Sequence, residues 1–266
     1  MTGEFFDPDT DPDADKAEMT IFNFLRDHQF FIKRHPALSG AANSGGTMEP
    51  YVIQNDGSYA LTLEFASGMV SPSILETVKH IIDSEGARLH LTISQKLMLL
   101  ELSEEAARRA AERLKAAGAN FKYPKQVYQP RVCVGSKYCK LGLQDTLAFG
   151  DQVYEKYSGL DIPYKIKIGV SGCRASCAHS TLADIGFIGR KSGYKIFVGG
   201  KSGIEPIIGR PLHGLYHEKK ALQILGRAIE IYCEHVDVEK QFQRLSHVIE
   251  KLGFEKFQTM VMDTVS

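Results

Sequence analysis

Hydrophobic and polar positions change their period several times along this chain, and each change marks an element. From Tyr59 to Phe65 the sequence YALTLEF alternates, as a strand with one buried face does. Pro72 to Ser84 (PSILETVKHIIDS) switches to helical spacing, with Ser71 as its N-cap and Gly86 as its stop. Arg88 to Leu102 reads as one or two strands, RLHLTIS and KLMLLEL. Ser103 then opens EEAARRAAERLKAAG, a run of strong helix formers that Gly118 closes. This β-α-β-α order predicts an α+β fold, a small sandwich of ferredoxin-like type.

The alternation resumes further on. Leu143 to Tyr157 has helical spacing, while KIKIGV (165–170), ADIGFI (183–188) and YKIFV (194–198) read as strands. His217 to Leu252 is helical in pattern and covers a sheet face in the simplest arrangement. At the other end, residues 19–35 carry apolar side chains at near-helical spacing, and PALSGAANSGG (36–46) is a linker. Residues 1–18 hold repeated Asp and Pro with few large apolar groups, a composition that does not offset its own ordering entropy. The expected organisation is a disordered acidic tail (1–18), an N-terminal helix and linker (19–48), a ferredoxin-like half-domain (49–125) and a second α+β domain with C-terminal helices (126–266).

Composition narrows the function without naming it. The chain has 266 residues, 43% of them hydrophobic and 24% charged, with 32 basic against 32 acidic side chains. That balance gives no general electrostatic case for nucleic acid or an anionic membrane, so any anion site must be local. The apolar runs are short, and the acidic N-terminus has neither a basic nor an apolar leader region, which predicts a cytoplasmic protein.

Four of the five cysteines form two tight pairs, Cys133/Cys139 in VCVGSKYCKLG and Cys173/Cys177 in SGCRASCAHS. Four thiolates on two loops suit a soft metal centre, and four cysteines are the usual shell of a [4Fe-4S] cubane. A structural zinc accepts the same donors, but its knuckles carry about two residues between paired cysteines, fewer than either gap here. Disulfides and free core thiols are the other readings. Gly135, Gly142 and Gly172 favour a cluster, because backbone can turn sharply there and offer N–H groups to sulfur. Cys233 lies apart, in an apolar helical stretch.

The segments CVGSKYCKLGLQDT, KIKIGVSGCRASCAHSTLADIGFIG and YKIFVGGKSG together resemble the siroheme and [4Fe-4S] half of nitrite and sulfite reductases, and LHLTISQ resembles the LTxRQ strand of that family's ferredoxin-like half. The resemblance covers about residues 50 to 255. It implies a ferredoxin-like sandwich followed by an α+β siroheme/[4Fe-4S]-binding domain. Cys133, Cys139, Cys173 and Cys177 would ligate the cluster, and Cys177 would also bridge to the siroheme iron.

Siroheme carries many carboxylates, so cations near the motifs become expected cofactor contacts: Arg131, Lys137, Lys140, Lys165, Lys167 and Arg174. His179, Thr92 and Gln95 are counted with them. The implied reaction is six-electron reduction of sulfite to sulfide, with nitrite to ammonia as the alternative. In the LTxRQ stretch His90 and Ser94 stand where arginine is expected, so Arg88, His90, Lys96 and Arg131 form the expected catalytic set. No flavin fingerprint or GxGxxG turn is present, which implies a separate electron donor such as a ferredoxin. Larger family members hold siroheme between two fused copies of the module, so a homodimer or partner subunit could close the pocket. A siroheme-free cluster protein, of the corrin-biosynthesis oxygenase kind or an electron-transfer subunit, is the other reading.

Overall fold

The structure is a computed structural model that describes residues 49–263. The expectations for residues 1–18 and 19–48 lie outside the described residues.

Two five-stranded sheets organise the chain. The first begins with strands β1 (Tyr51–Ile53) and β2 (Tyr59–Glu64), then helix α1 (Pro72–Glu85). Strands β3 (Arg88–Leu91) and β4 (Leu97–Leu102), helix α2 (Glu104–Ala116) and strand β5 (Asn120–Phe121) follow. Pairing is antiparallel throughout, in the order β1-β2-β4-β3, with β5 on the far end of β2. The series β2-α1-β3-β4-α2-β5 is the split βαβ arrangement of a ferredoxin-like fold.

Local chemistry sets these boundaries. Ser71 Oγ accepts from Ile74 N at 3.4 Å and Ser103 Oγ from Ala106 N at 3.2 Å, caps that contribute about 1 kcal/mol each. Gly86 ends α1 at φ 70°, a left-handed turn that glycine enters without a Cβ clash. One face of the sheet packs on both helices through Leu61, Leu63, Val78, Ile81, Leu99 and Leu114. Each such side chain contributes about 1.5–3 kcal/mol when fully buried. The opposite face carries Thr62, Glu64 and Met98, as the period of two requires.

The second sheet runs β10-β9-β8-β7-β6. Its members are β6 (Arg131–Val132), β7 (Ile168–Ser171), β8 (Ile185–Arg190), β9 (Gly193–Val198) and β10 (Arg210–Pro211). β6, β7 and β8 are parallel neighbours, whereas β9 and β10 add antiparallel. Every residue of β7 is buried, as in a parallel strand covered on both faces. Helix α3 (Gly135–Tyr138) is a single turn inside the first cysteine loop, and α4 (Thr146–Tyr157) packs on the sheet. There Phe149 stacks on Tyr194 at 4.5 Å and meets Phe187 edge-on at 5.1 Å. The C-terminal helical stretch divides into α5 (Glu218–His235), α6 (Leu245–Leu252) and α7 (Phe254–Met262), with α5 against β9. Among the described residues no helix is long and apolar enough to cross a membrane.

The RLHLTIS stretch departs from its sequence reading. The strand ends at Leu91, and Thr92 to Lys96 forms the hairpin turn into β4. Thr92 N–H donates to Lys96 O at 2.9 Å, Thr92 Oγ1 accepts from Lys96 N at 3.1 Å, and Gln95 sits at φ 60°. Ser94, Gln95 and Lys96 therefore do not continue the alternation of Arg88 and His90.

Candidate active site

Two loops from the second sheet meet back to back. Cys133 follows β6 and Cys139 follows α3, while Cys173 and Cys177 lie beyond the end of β7. Cys133 N–H donates to Val170 O at 3.0 Å, and Leu143 N–H donates to Gly172 O at 2.8 Å, so the loops share one backbone network. Gly172 N–H donates to Cys133 Sγ at 3.1 Å. Thr146 Oγ1 donates to Cys133 O at 2.5 Å, fixing the same residue from the N-terminal end of α4.

This packing needs bare backbone. A Cβ on Gly135, at φ +60°, would collide with Thr146 Oγ1 and lie 2.7 Å from Thr146 N. A Cβ on Gly142 would meet the Gly135 carbonyl, and one on Gly172 would lie 3.0 Å from Gly135 Cα. Gly142 and Gly172 thus both pack directly on Gly135.

Cys133, Cys139, Cys173 and Cys177 all line one cavity of about 330 Å³, together with Gly135, Gly142, Gly172, Gln95, Arg131 and His179. All five cysteines are free, and Cys177 is the exposed one. Among the described residues no group of three or more His, Cys, Asp or Glu is placed to hold a single metal ion. Four thiols spread around a cavity, with a backbone N–H directed at one sulfur, match the donor chemistry of a multi-atom cluster. Cys233 lies outside this cavity, and burial pushes its thiol up to about 12.

A second cavity of about 250 Å³ shares Arg131 with the first. Thr62, Thr92, Ser94, Lys96, Lys122, Tyr128, Gln129, Lys165 and Lys167 line it, and no carboxylate does. Its walls come from the open face of the first sheet, the hairpin turn, the segment before β6 and the segment before β7. Burial lowers the pKa of Arg131, Lys165 and Lys167, with Arg244 adding like charge against both lysines. Lys96 is held at about 7 by burial first and then by Lys122 and Lys167. Among the described residues Lys96 alone of these five cations has a carboxylate within ion-pair distance, Glu64. The unpaired positive charge suits a polycarboxylate or a small oxyanion.

The expected site residues separate on this geometry. Lys96, Arg131, Lys165, Lys167 and Thr92 reach the cationic cavity, and Gln95 and His179 reach the thiol cavity. Arg88 and His90, expected in the catalytic set, line neither. Arg88 is exposed and pairs with Glu101 at 3.1 Å, because β3 is an edge strand whose side chains face outward. Lys137, Lys140 and Arg174 are exposed and also line neither, Lys137 lying over the Tyr138 ring at 5.5 Å. Glu64, Lys122, Tyr128 and Gln129 escaped the sequence reading. Glu64 falls at a polar position of the alternating YALTLEF, opposite the face of Leu61 and Leu63, so nothing in the local pattern signalled its burial.

Residues 123–266 match the nitrite and sulphite reductase 4Fe-4S domain, and residues 52–117 match the nitrite/sulfite reductase ferredoxin-like half domain. The chain belongs to the nitrite and sulfite reductase family. Its members are oxidoreductases, and membership implies siroheme and a [4Fe-4S] cluster as cofactors. A relative from Nitratidesulfovibrio vulgaris, named an assimilatory-type sulfite reductase, is 30% identical over 213 residues, which are 79% of this chain and 96% of that protein. The nitrite reductase [NAD(P)H] of Bacillus subtilis is 27% identical over 79% of this chain, but the match spans only 26% of the larger protein. Among solved structures, Mycobacterium tuberculosis NirA superposes with a TM-score of 0.64 at 22% identity, over 80% of this chain and 43% of that one. That likeness is one of fold. The family's cluster fits the four-thiol cavity, and a polycarboxylate cofactor fits the adjoining cations.

Proposed function

We propose that this protein reduces sulfite to sulfide, taking electrons from a separate donor protein and using a [4Fe-4S] cluster and siroheme. The observation that carries the reading is the pair of adjoining cavities, one lined by four thiols and the other by five cations, with Arg131 in both. The near full-length relative named an assimilatory-type sulfite reductase favours sulfite. Nitrite is the second reading, favoured by the matches to nitrite reductases.

Cys133, Cys139, Cys173 and Cys177 would hold the cluster, and exposed Cys177 is the thiolate available to a second centre. Bound together, the two cofactors supply electrons in succession to an anion held beside them. The chain's own side chains do the rest. Arg131, Lys165 and Lys167 would neutralise carboxylates or hold the anion, and their partial burial strengthens that attraction. Each departing oxygen must take up two protons, which acidic groups in the cationic cavity would supply.

The test is an anaerobic visible spectrum of purified protein with iron, acid-labile sulfide and zinc analysis, followed by assays with reduced viologen dye. Siroheme bands, excess iron and sulfide, and faster turnover with sulfite than nitrite are expected. Faster nitrite turnover would favour the second reading. A cluster without siroheme, or colourless zinc protein, would overturn both.

A further inference from the structure

The cationic cavity contains a charge arrangement that anion binding alone does not require. Lys96 and Glu64 pair with side chains only 5% and 10% exposed. Such a pair is a poor source of stability, because removing two charges from water offsets their attraction. The groups around Lys96 come from every neighbouring element. Glu64 contacts it from β2, and the Tyr128 ring centroid lies 4.8 Å from its Nζ. Lys122 after β5, Arg131 of β6, and Lys165 and Lys167 ahead of β7 line the cavity with it. Lys122 shares the Tyr128 ring, at 5.4 Å.

We propose that Lys96 is the proton donor of this cavity, and that Glu64 positions its ammonium group, the pair serving the oxygen atoms of a small oxyanion reduced there. The inference rests on the reductase reading above. In the transfer a Lys96 N–H bond breaks and an O–H bond forms on the anion; the oxygen leaves as water after a second protonation. The neutral amine regains its proton from solvent, and the electrons come from the donor protein.

Lys96 is better suited to this than its neighbours. A guanidinium such as that of Arg131 holds its proton throughout the neutral range. Among the described residues Lys165 and Lys167 have no carboxylate within ion-pair distance; Asp184 favours their charged forms from further off, and the like charge of Arg244 outweighs it. Lys96 has such a carboxylate, and burial together with like charge brings its pKa to about 7, where a general acid is most effective. His90, placed in the catalytic set from sequence, lines neither cavity.

The experiment compares holoenzymes of wild type, Lys96→Arg, Lys96→Met and Glu64→Gln, each checked for its visible spectrum. Lys96→Arg keeps the charge but not the removable proton, so KM stays near wild type while kcat falls about 10²-fold or more. Lys96→Met loses both. Glu64→Gln removes the group favouring the ammonium form, so the alkaline limb of kcat moves to lower pH. Independently of turnover, competitive acetylation of wild-type lysines across pH, read by mass spectrometry, gives Lys96 a midpoint well below the surface lysines.

Wild-type kcat and pH profile in Lys96→Arg, or an ordinary midpoint for Lys96, would overturn the proposal and leave the reductase reading standing. If the Lys96 variants lose their colour, the Glu64→Gln profile and the acetylation midpoint decide. A wild-type holoenzyme that reduces neither sulfite nor nitrite would sink both.

Discussion

The side-chain amide of Gln95 pairs with the backbone of Val132 as a neighbouring strand would. Gln95 Nε2 donates to Val132 O at 2.7 Å, and Val132 N–H donates to Gln95 Oε1 at 2.7 Å. A hairpin turn of the first sheet thereby fixes the edge strand of the second, one residue before Cys133. Gln129 reinforces the junction by accepting from Phe65 N–H and donating to Gln95 O at 3.4 Å.

Gln95→Ala removes both bonds to Val132, and at about 1 kcal/mol net for each the protein should lose roughly 2 kcal/mol. Gln95→Glu should cost more at neutral pH, since a carboxylate accepts from Val132 N–H but faces Val132 O without a hydrogen. Lowering the pH protonates it and restores a donor, so thermal unfolding at pH 7.5 and pH 5 should show the Glu variant gaining on wild type in acid. Equal transitions at both values would argue against this pairing.

Gly135 is the position where the two cysteine loops tolerate least. Alanine there places a Cβ against Thr146 and also strains a left-handed backbone at φ 60°. Overpacking of this kind costs about 1–3 kcal/mol, and the loop's escape is to move Cys133 or Cys139. Iron and acid-labile sulfide per chain should therefore fall sharply in Gly135→Ala, a loss that colorimetric analysis of purified protein reads directly.

Cys177 and Cys233 should respond oppositely to serine. Cys177→Ser removes an exposed thiol of the four-cysteine cavity and should abolish turnover and alter the visible spectrum. Burial, then the Glu234 and Glu230 carboxylates, holds the Cys233 thiol protonated at neutral pH, and a thiol is no ligand in that form. Cys233→Ser should keep both colour and turnover. Bleaching of the Cys233 variant would mean the ligands are misassigned.

Asp184 and Arg244 join the second sheet to the start of α6 through a buried pair. Arg244 Nε donates to Asp184 Oδ1 at 3.0 Å, a second guanidinium nitrogen reaches Oδ2, and Lys167 N–H donates to Oδ2 at 2.7 Å. Asp184→Asn leaves the guanidinium buried without its counter-charge, a change that costs about 3–5 kcal/mol. Urea unfolding should show a lower midpoint with an unchanged slope. A midpoint within error of wild type would show that the pair contributes nothing.

Period and caps determined much of this protein before any tertiary contact. Ser71 and Gly86 bound α1 because capping and left-handed turns depend on near neighbours alone. The four cysteines announced themselves by spacing, and the glycines around them by a residue type that matters where backbone touches backbone. The hairpin turn at Thr92 to Lys96 was hidden, because LTISQ has the composition of a strand and only pairing of β3 with β4 forces the reversal. That reversal sends Lys96 inward and leaves Arg88 and His90 outside. The cationic cavity was equally illegible. Lys96, Lys122, Arg131 and the Lys165/Lys167 pair come from separate segments, and Glu64 lies thirty-two positions from its partner. Charge sums over the sequence are balanced, but the fold gathers one sign in one place. Burial then supplies what no local pattern encodes, a low-dielectric setting in which those charges act on a ligand and on one another.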